Sequence, residues 1–219
     1  MRSVIFDLDG TLADTSGDLL AAANACFRDL GLGDVLGPED AGTALKGGKS
    51  MLRLGFERTG THGEDEVERQ YQPLLDHYEA ALDHHTVLYP GAMEAVAALK
   101  SDGFVVGICT NKPEHLAVKL MRSLGVLEEF ASLLGADSLP VRKPDPRHLT
   151  ETVIRAGGDP KRSLLVGDTS TDRETSRNAG VPSVLVTFGP SGGDMAALEP
   201  EALLEDYAHL PEIAARLVR

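Results

Sequence analysis

Apolar residues in this chain gather in short unbroken runs. Val4-Ile5-Phe6, Phe104-Val105-Val106-Gly107-Ile108-Cys109, Ser163-Leu164-Leu165-Val166 and Ser183-Val184-Leu185-Val186 are the clear ones, and Leu133-Leu134 is a weaker one. Strands buried on both faces of a parallel sheet read this way, because neither face meets water. Between these runs the spacing turns helical over 91–101, 113–123, 146–156 and 172–179. Pro113 suits the start of a helix, and Gly103, Gly125, Gly157 and Gly180 fall where helices should stop. Strand and helix in alternation predict an α/β fold with a Rossmann-like, doubly wound parallel sheet. Residues 203–218 add a short strand or loop and a final helix.

The stretch from 15 to 85 breaks this rhythm. It carries no strand pattern. Helices fit 18–30, 38–46, 49–59 and 64–82, and Glu64-Asp65-Glu66 loads the first turn of the last one with negative charge, which suits the helix dipole. An all-helical insert after a first strand reads as a small α-helical cap domain over 15–85, with 1–14 and 86–219 as the catalytic core and hinges near 13–17 and 84–90.

Composition narrows the class. With Lys plus Arg at 21 and Asp plus Glu at 34, the net charge is −13, which argues against a nucleic-acid partner. No run approaches the roughly 18 apolar residues of a membrane span, and the N-terminus lacks the apolar segment of about 7 to 15 residues that a secretory signal needs. The expectation is a cytoplasmic protein with no membrane partner. Cys26 and Cys109 sit in apolar stretches and read as buried free thiols.

The candidate chemistry lies where strands end, the place where open α/β sheets gather their ligands. Asp7 and Asp9 follow the first strand, and Gly10 lets the chain turn sharply after them. Two carboxylates so close repel unless a cation is near, and hard oxygen ligands favour Mg²⁺. Thr110-Asn111-Lys112-Pro113 follows the second strand and offers a hydroxyl and amides at a helix start. Lys143 precedes Pro144-Asp145-Pro146, and Gly167-Asp168-Thr169-Ser170-Thr171-Asp172 is a second acidic cluster. Each has a plainer reading: Thr110 or Asp168 as a helix cap, Lys143 as a solvated charge.

In this order the residues resemble the four motifs of the haloacid dehalogenase-like superfamily of aspartate-nucleophile phosphotransferases. The motifs stand as Asp7-Leu8-Asp9-Gly10-Thr11, Thr110, Lys143 and Gly167-Asp168 with Asp172, and the likeness spans the whole chain. Thr110-Asn111-Lys112-Pro113, Lys143-Pro144-Asp145-Pro146 and Ala179-Gly180-Val181-Pro182 are most similar to the phosphoglycolate phosphatase branch.

The resemblance implies a Mg²⁺-dependent phosphatase acting on a small phosphorylated metabolite, 2-phosphoglycolate first. It makes Asp7 the nucleophile that forms an aspartyl-phosphate, and Asp9 the general acid and then base. Asp7, the backbone carbonyl of Asp9, and Asp168 would hold the metal. Thr110, Asn111 and the adjacent amides would bind phosphate, Lys143 would neutralise charge, and Asp172 would orient Lys143 or a metal-bound water.

Other readings are weaker. Asp9 argues against a dehalogenase. Thr11 favours a phosphatase over a β-phosphoglucomutase-like phosphotransferase, which shares the motifs; phosphatases for sugar phosphates or pyrophosphate stay open. A phosphonate hydrolase would need a cap lysine. Lys46-Gly47-Gly48-Lys49 is half of a P-loop, but Thr43 stands where the first Gly is needed. It reads either as a substrate-binding turn of the cap or as a plain connection with solvated lysines. Asp83-His84-His85 reads as a linker, Arg142 as exposed, and the Glu-rich 199–206 as a solvated face. A binding protein that lost its chemistry should lack a motif residue, and none is lost.

Overall fold

The computed structural model describes residues 1–190 and 192–219. In chain order, β1 (Arg2–Phe6) and the two-residue β2 (Ala13–Asp14) precede helices α1 (Ser16–Asp29), α2 (Ala41–Ala44), α3 (Gly48–Thr59) and α4 (Glu64–Ala80). Then come β3 (Val87–Leu88), α5 (Ala92–Ser101), β4 (Phe104–Cys109), α6 (Glu114–Ser123), β5 (Ser132–Leu134) and α7 (Pro146–Arg155). The chain closes with β6 (Ser163–Gly167), α8 (Ser170–Ala179), β7 (Ser183–Val186), β8 (Ala202–Leu204) and α9 (Leu210–Leu217). By internal contacts it divides into two compact units, one of Met1–Ala13 with Leu88–Arg219 and one of Asp14–Val87.

In the first unit, six of the described strands form a sheet in the order β5-β4-β1-β6-β7-β8, with every pairing parallel. β1 continues toward β4 on one side, whereas β6 continues toward β7 on the other. Crossovers that diverge from adjacent strands open a crevice at their carboxyl ends. The apolar runs bury on both faces, as their continuity predicts: Val4, Ile5, Phe6, Ile108, Cys109 and Leu164–Val166 are all inaccessible. Ile5, Cys109, Leu149, Val153, Leu165 and Val181 pack as one cluster in which α7 covers the strands.

Asp14–Val87 is helical apart from the terminal residues in β2 and β3. Its core joins α1 to α3 through the edge-on pair Phe27–Phe56, 5.4 Å between ring centres. Gly55 is obligatory there, because a Cβ would sit 2.1 Å from the Phe27 ring. Asn24 is buried and ties the 35–36 turn, donating to the Leu36 carbonyl (2.9 Å) and accepting from the Val35 and Leu36 amides. Asp18 ties the other end of the unit. Its carboxylate accepts from the His85 amide (2.9 Å) and from the Thr86 amide (2.9 Å) and hydroxyl (2.7 Å).

Two expectations change. The helix predicted over 38–46 breaks into a 3₁₀ turn at Pro38–Asp40 and the short α2. A proline at the start and Gly42 within it leave little to propagate a longer helix. The segment 199–206 is not simply a solvated face. Ala202–Leu204 is the edge strand, Leu204 is buried, and Glu201 binds Arg173 (2.8 Å) and the Ser183 amide (2.7 Å).

Candidate active site

The chain leaves β1 with the Asp7 amide donating to the Val166 carbonyl of the neighbouring β6 (2.8 Å). It then turns back at once. The Leu8 carbonyl accepts from the amides of Thr11, Leu12 and Ala13 at 3.3, 3.0 and 3.1 Å. Such a turn needs a left-handed residue, and Gly10 supplies it with φ 78°. Asp7 is thereby fixed at the strand end, with its Oδ1 accepting from the Leu8 amide (2.8 Å).

Beside it, β6 ends in Gly167 and α8 begins with a capping box. The Thr169 hydroxyl caps the Asp172 amide, and Asp172 reaches back to the Thr169 amide. Asp172 Oδ2 accepts from the Asp168 amide (3.3 Å), the Thr169 amide (3.1 Å) and the Thr169 hydroxyl (2.6 Å). Its other oxygen, Oδ1, takes Lys143 Nζ at 2.7 Å. Gly167 is required by this packing, since a Cβ would lie 2.4 Å from the Asp172 side chain. Lys143 also reaches Asp7 Oδ1 at 2.9 Å, and its side chain is 2% exposed. Asp168 Oδ1 accepts from the Thr11 hydroxyl (2.9 Å), while the Thr11 carbonyl accepts from the Tyr207 hydroxyl (2.8 Å). Asp168 Oδ2 is buried and has no hydrogen-bond partner among the described residues.

Two buried carboxylates, Asp7 and Asp172, therefore hold one buried ammonium, and a third, Asp168, lies beside them. Burial pushes Asp7 up to about 6, with Asp172 and Asp9 adding to the rise and Lys143 opposing it. Burial, then the charges of Asp172 and Asp7, hold Asp168 well above the ordinary carboxylate range. Burial alone would lower Lys143, but Asp172 and Asp7 outweigh it and keep the ammonium charged. Removing charges from water in this way is costly unless they are compensated. Among the described residues, Asp7, Asp168 and Asp172 are close enough to share a cation, with ligand atoms within 4.8 Å. The partnerless Asp168 oxygen and the excess negative charge fit a hard divalent cation. Asp172 is the least suited to bind it directly, since protein donors occupy both of its oxygens.

The loop after β4 supplies the remaining expected residues. Thr110 is buried, and its hydroxyl accepts from the Lys112 amide (3.1 Å), while its own amide donates to the Leu134 carbonyl (3.0 Å). These two amides thus have acceptors inside the protein. Asn111 is exposed, and its side-chain amide donates to the Lys143 carbonyl (3.0 Å), joining the two loops. Lys112 has no role in the sequence reading, yet it is buried and its ammonium meets Asp9 Oδ1 at 2.8 Å. The one signal was its place two residues beyond Thr110 at a strand end. The Asp9 side chain thus lies on Lys112, apart from the three clustered carboxylates.

In the helical unit, Gly47 takes φ 100° ahead of α3, and Lys46 and Gly47 are exposed. Lys49 binds both carboxylate oxygens of Glu68 (2.6 and 2.7 Å) and stands over the Tyr71 ring. Arg142 is exposed, and both cysteines are buried free thiols. No described helix is long and apolar enough to cross a membrane.

The chain is similar to known proteins along its length. The family model described as haloacid dehalogenase-like hydrolase matches residues 4–186. A phosphoglycolate phosphatase of Agrobacterium fabrum is 38% identical over 216 residues, covering 98% of this chain and 93% of that protein. One of Mesorhizobium japonicum is 38% identical over 221 residues, covering 99% and 96%. The crystal structure of a predicted phosphoglycolate phosphatase from Haemophilus somnus superposes with a TM-score of 0.85 at 26% identity, covering 97% of each chain. The chain belongs to the haloacid dehalogenase-like hydrolase family and is an enzyme of its phosphatase branch.

Proposed function

We propose that this phosphatase is a Mg²⁺-dependent phosphomonoester hydrolase that works through an aspartyl-phosphate on Asp7. Its proposed substrate is 2-phosphoglycolate, released as glycolate and phosphate. The observation that supports this reading best is Asp7 held 2.9 Å from the Lys143 ammonium at a strand end, next to the partnerless Asp168 oxygen. The substrate assignment draws on relatives that bear the name phosphoglycolate phosphatase.

The Asp7 carboxylate attacks phosphorus as the bond from phosphorus to the glycolate oxygen breaks. Asp9 gives its proton to that oxygen and later removes one from the water that hydrolyses the aspartyl-phosphate. Lys143 offsets negative charge on Asp7 and the transferring phosphoryl group, and Asp172 fixes the ammonium for that task. The Thr110 hydroxyl and the Asn111 amide hold phosphate oxygens. Asp7, Asp168 and the Asp9 carbonyl would hold the cation, which when bound reduces the repulsion between carboxylate and phosphate.

Residues 15–85 act as a cap that keeps bulk water from the acyl phosphate. Lys46, Gly47, Gly48 and Lys49 of that cap bind substrate. For Lys49 this requires exchanging Glu68 for the ligand. The free thiols suit a reducing cytoplasm.

The test is phosphate release from 2-phosphoglycolate, glucose 1- and 6-phosphate, a nucleoside monophosphate and pyrophosphate, with Mg²⁺ and with EDTA. The expected result is a kcat/KM for phosphoglycolate at least about tenfold above the others, abolished by EDTA. A flat, metal-dependent profile would overturn the substrate. Conversion of glucose 1-phosphate to glucose 6-phosphate would point to the mutase.

A further inference from the structure

Among the described residues, Lys112 is the one buried ammonium of the α/β unit that the mechanism above leaves without a task. Its side chain is 4% exposed, against 17% for its partner Asp9, and the two meet at 2.8 Å. Its backbone is clamped on both sides. The Lys112 amide donates to the Thr110 hydroxyl (3.1 Å), and the Lys112 carbonyl accepts from the Ala136 amide (2.9 Å). The side chain therefore leaves a fixed base, short of freedom to follow a moving partner. Asp9 hangs from the turn that Gly10 makes, and 103 positions separate the two residues in sequence.

From this geometry we infer that Lys112 is the positioning residue for the Asp9 carboxyl group. Resting on the reading of Asp9 as acid and base, it fixes where that group stands when the ester oxygen needs its proton. A group that must meet a reacting atom within hydrogen-bond reach has little tolerance for rotation, and a displacement of about 1 Å can cost on the order of a hundredfold in rate. An ammonium suits this task because its attraction holds the carboxyl in place, and because burial of the ammonium denies it the competing bonds of water. A purely structural ion pair would matter to folding and would be indifferent to the leaving group.

That contrast defines the experiment. kcat/KM covers events through formation of the aspartyl-phosphate, so leaving-group protonation is visible in it. It would be measured with Mg²⁺ for wild type, Lys112→Met, Lys112→Arg, Asp9→Asn and the Asp9→Asn/Lys112→Met double variant. The substrates are 2-phosphoglycolate, whose alkoxide needs a proton to leave, and 4-nitrophenyl phosphate, whose phenolate does not. Lys112→Met is expected to lose roughly tenfold or more on phosphoglycolate and less than about threefold on the nitrophenyl ester. Lys112→Arg should restore most of the loss, and the double variant should be no slower than Asp9→Asn.

Equal losses on both esters for Lys112→Met, with Asp9→Asn still selective for the alkyl ester, would overturn the role of Lys112 and leave the acid in place. An Asp9→Asn variant without leaving-group selectivity would instead overturn the reading of Asp9. Should Lys112→Met not fold, Lys112→Gln carries the same comparison.

Discussion

The two units of this chain differ in how they balance charge. In the helical unit, charges are matched one to one: Arg28 with Asp34, Arg53 with Glu64, and Lys49 with Glu68 have side chains between 36% and 64% exposed, and the buried carboxylates of Asp40 and Glu66 each meet an exposed arginine, Arg58 and Arg69. Each is locally neutral, and water shares the work of solvating it. In the α/β unit, Asp7, Asp168, Asp172 and Lys143 are buried with more negative than positive charge among them. The first arrangement lets a helix surface be soluble. The second stores an unfavourable field at one place, which a cation and a phosphoryl group can discharge. Net charge of −13 does not draw an anionic substrate in from afar, so the attraction must be local.

The largest effect should come from breaking the buried side of this contrast. Asp7→Asn is expected to lower phosphate release by at least about 10⁴-fold while the far-ultraviolet circular dichroism is unchanged. Turnover close to wild type would remove Asp7 as nucleophile. Asp168→Asn should weaken the divalent cation by about a hundredfold or more, read by calorimetric titration of Mg²⁺ into the folded protein.

A third experiment measures the stored field directly. Asp7 binds its proton more tightly in the folded protein, at about 6 against an ordinary 3.8. The folded state thus holds more protons than the unfolded one between these values, and stability falls as pH rises through them. Metal-free protein should lose on the order of 2 kcal/mol between pH 4 and 6, as read by urea unfolding. Asp168, shifted the same way, carries the fall to higher pH. Asp7→Asn should flatten the profile and be the more stable protein at pH 7 without metal. A rise in stability over that range would contradict the field.

In the helical unit the effects are smaller. Asp18→Ala strips the buried partner from the His85 and Thr86 amides and should cost about 2–4 kcal/mol in the same assay. Arg53→Ala, which removes only an exposed pair, should leave the unfolding midpoint unmoved.

How far the sequence reached follows the same division. Phe104–Cys109 and Ser183–Val186 were readable to the residue, because continuous apolarity has no other comfortable home than a doubly covered sheet. β2 and β3 were not, since two residues carry no period. Asp7, Asp168 and Asp172 were legible because each sits at the carboxyl end of a strand or in the first turn after it, and Lys143 because it stands before the Pro-Asp-Pro that opens α7. The pairing of Lys112 with Asp9 was not, because it depends on two separate turns converging. Glu201 looked solvated because a Glu-rich stretch carries no sign of the Arg173 that reaches it from α8.

The Asp18 carboxylate, which binds the His85 and Thr86 amides, has a consequence for the ends of the inserted segment. It sutures the beginning of the inserted segment to its end from within that segment. Asp14–Val87 therefore brings its own closure. Pulling its two ends apart is resisted by a side chain of the segment itself as well as by the short β2–β3 pairing at its boundary.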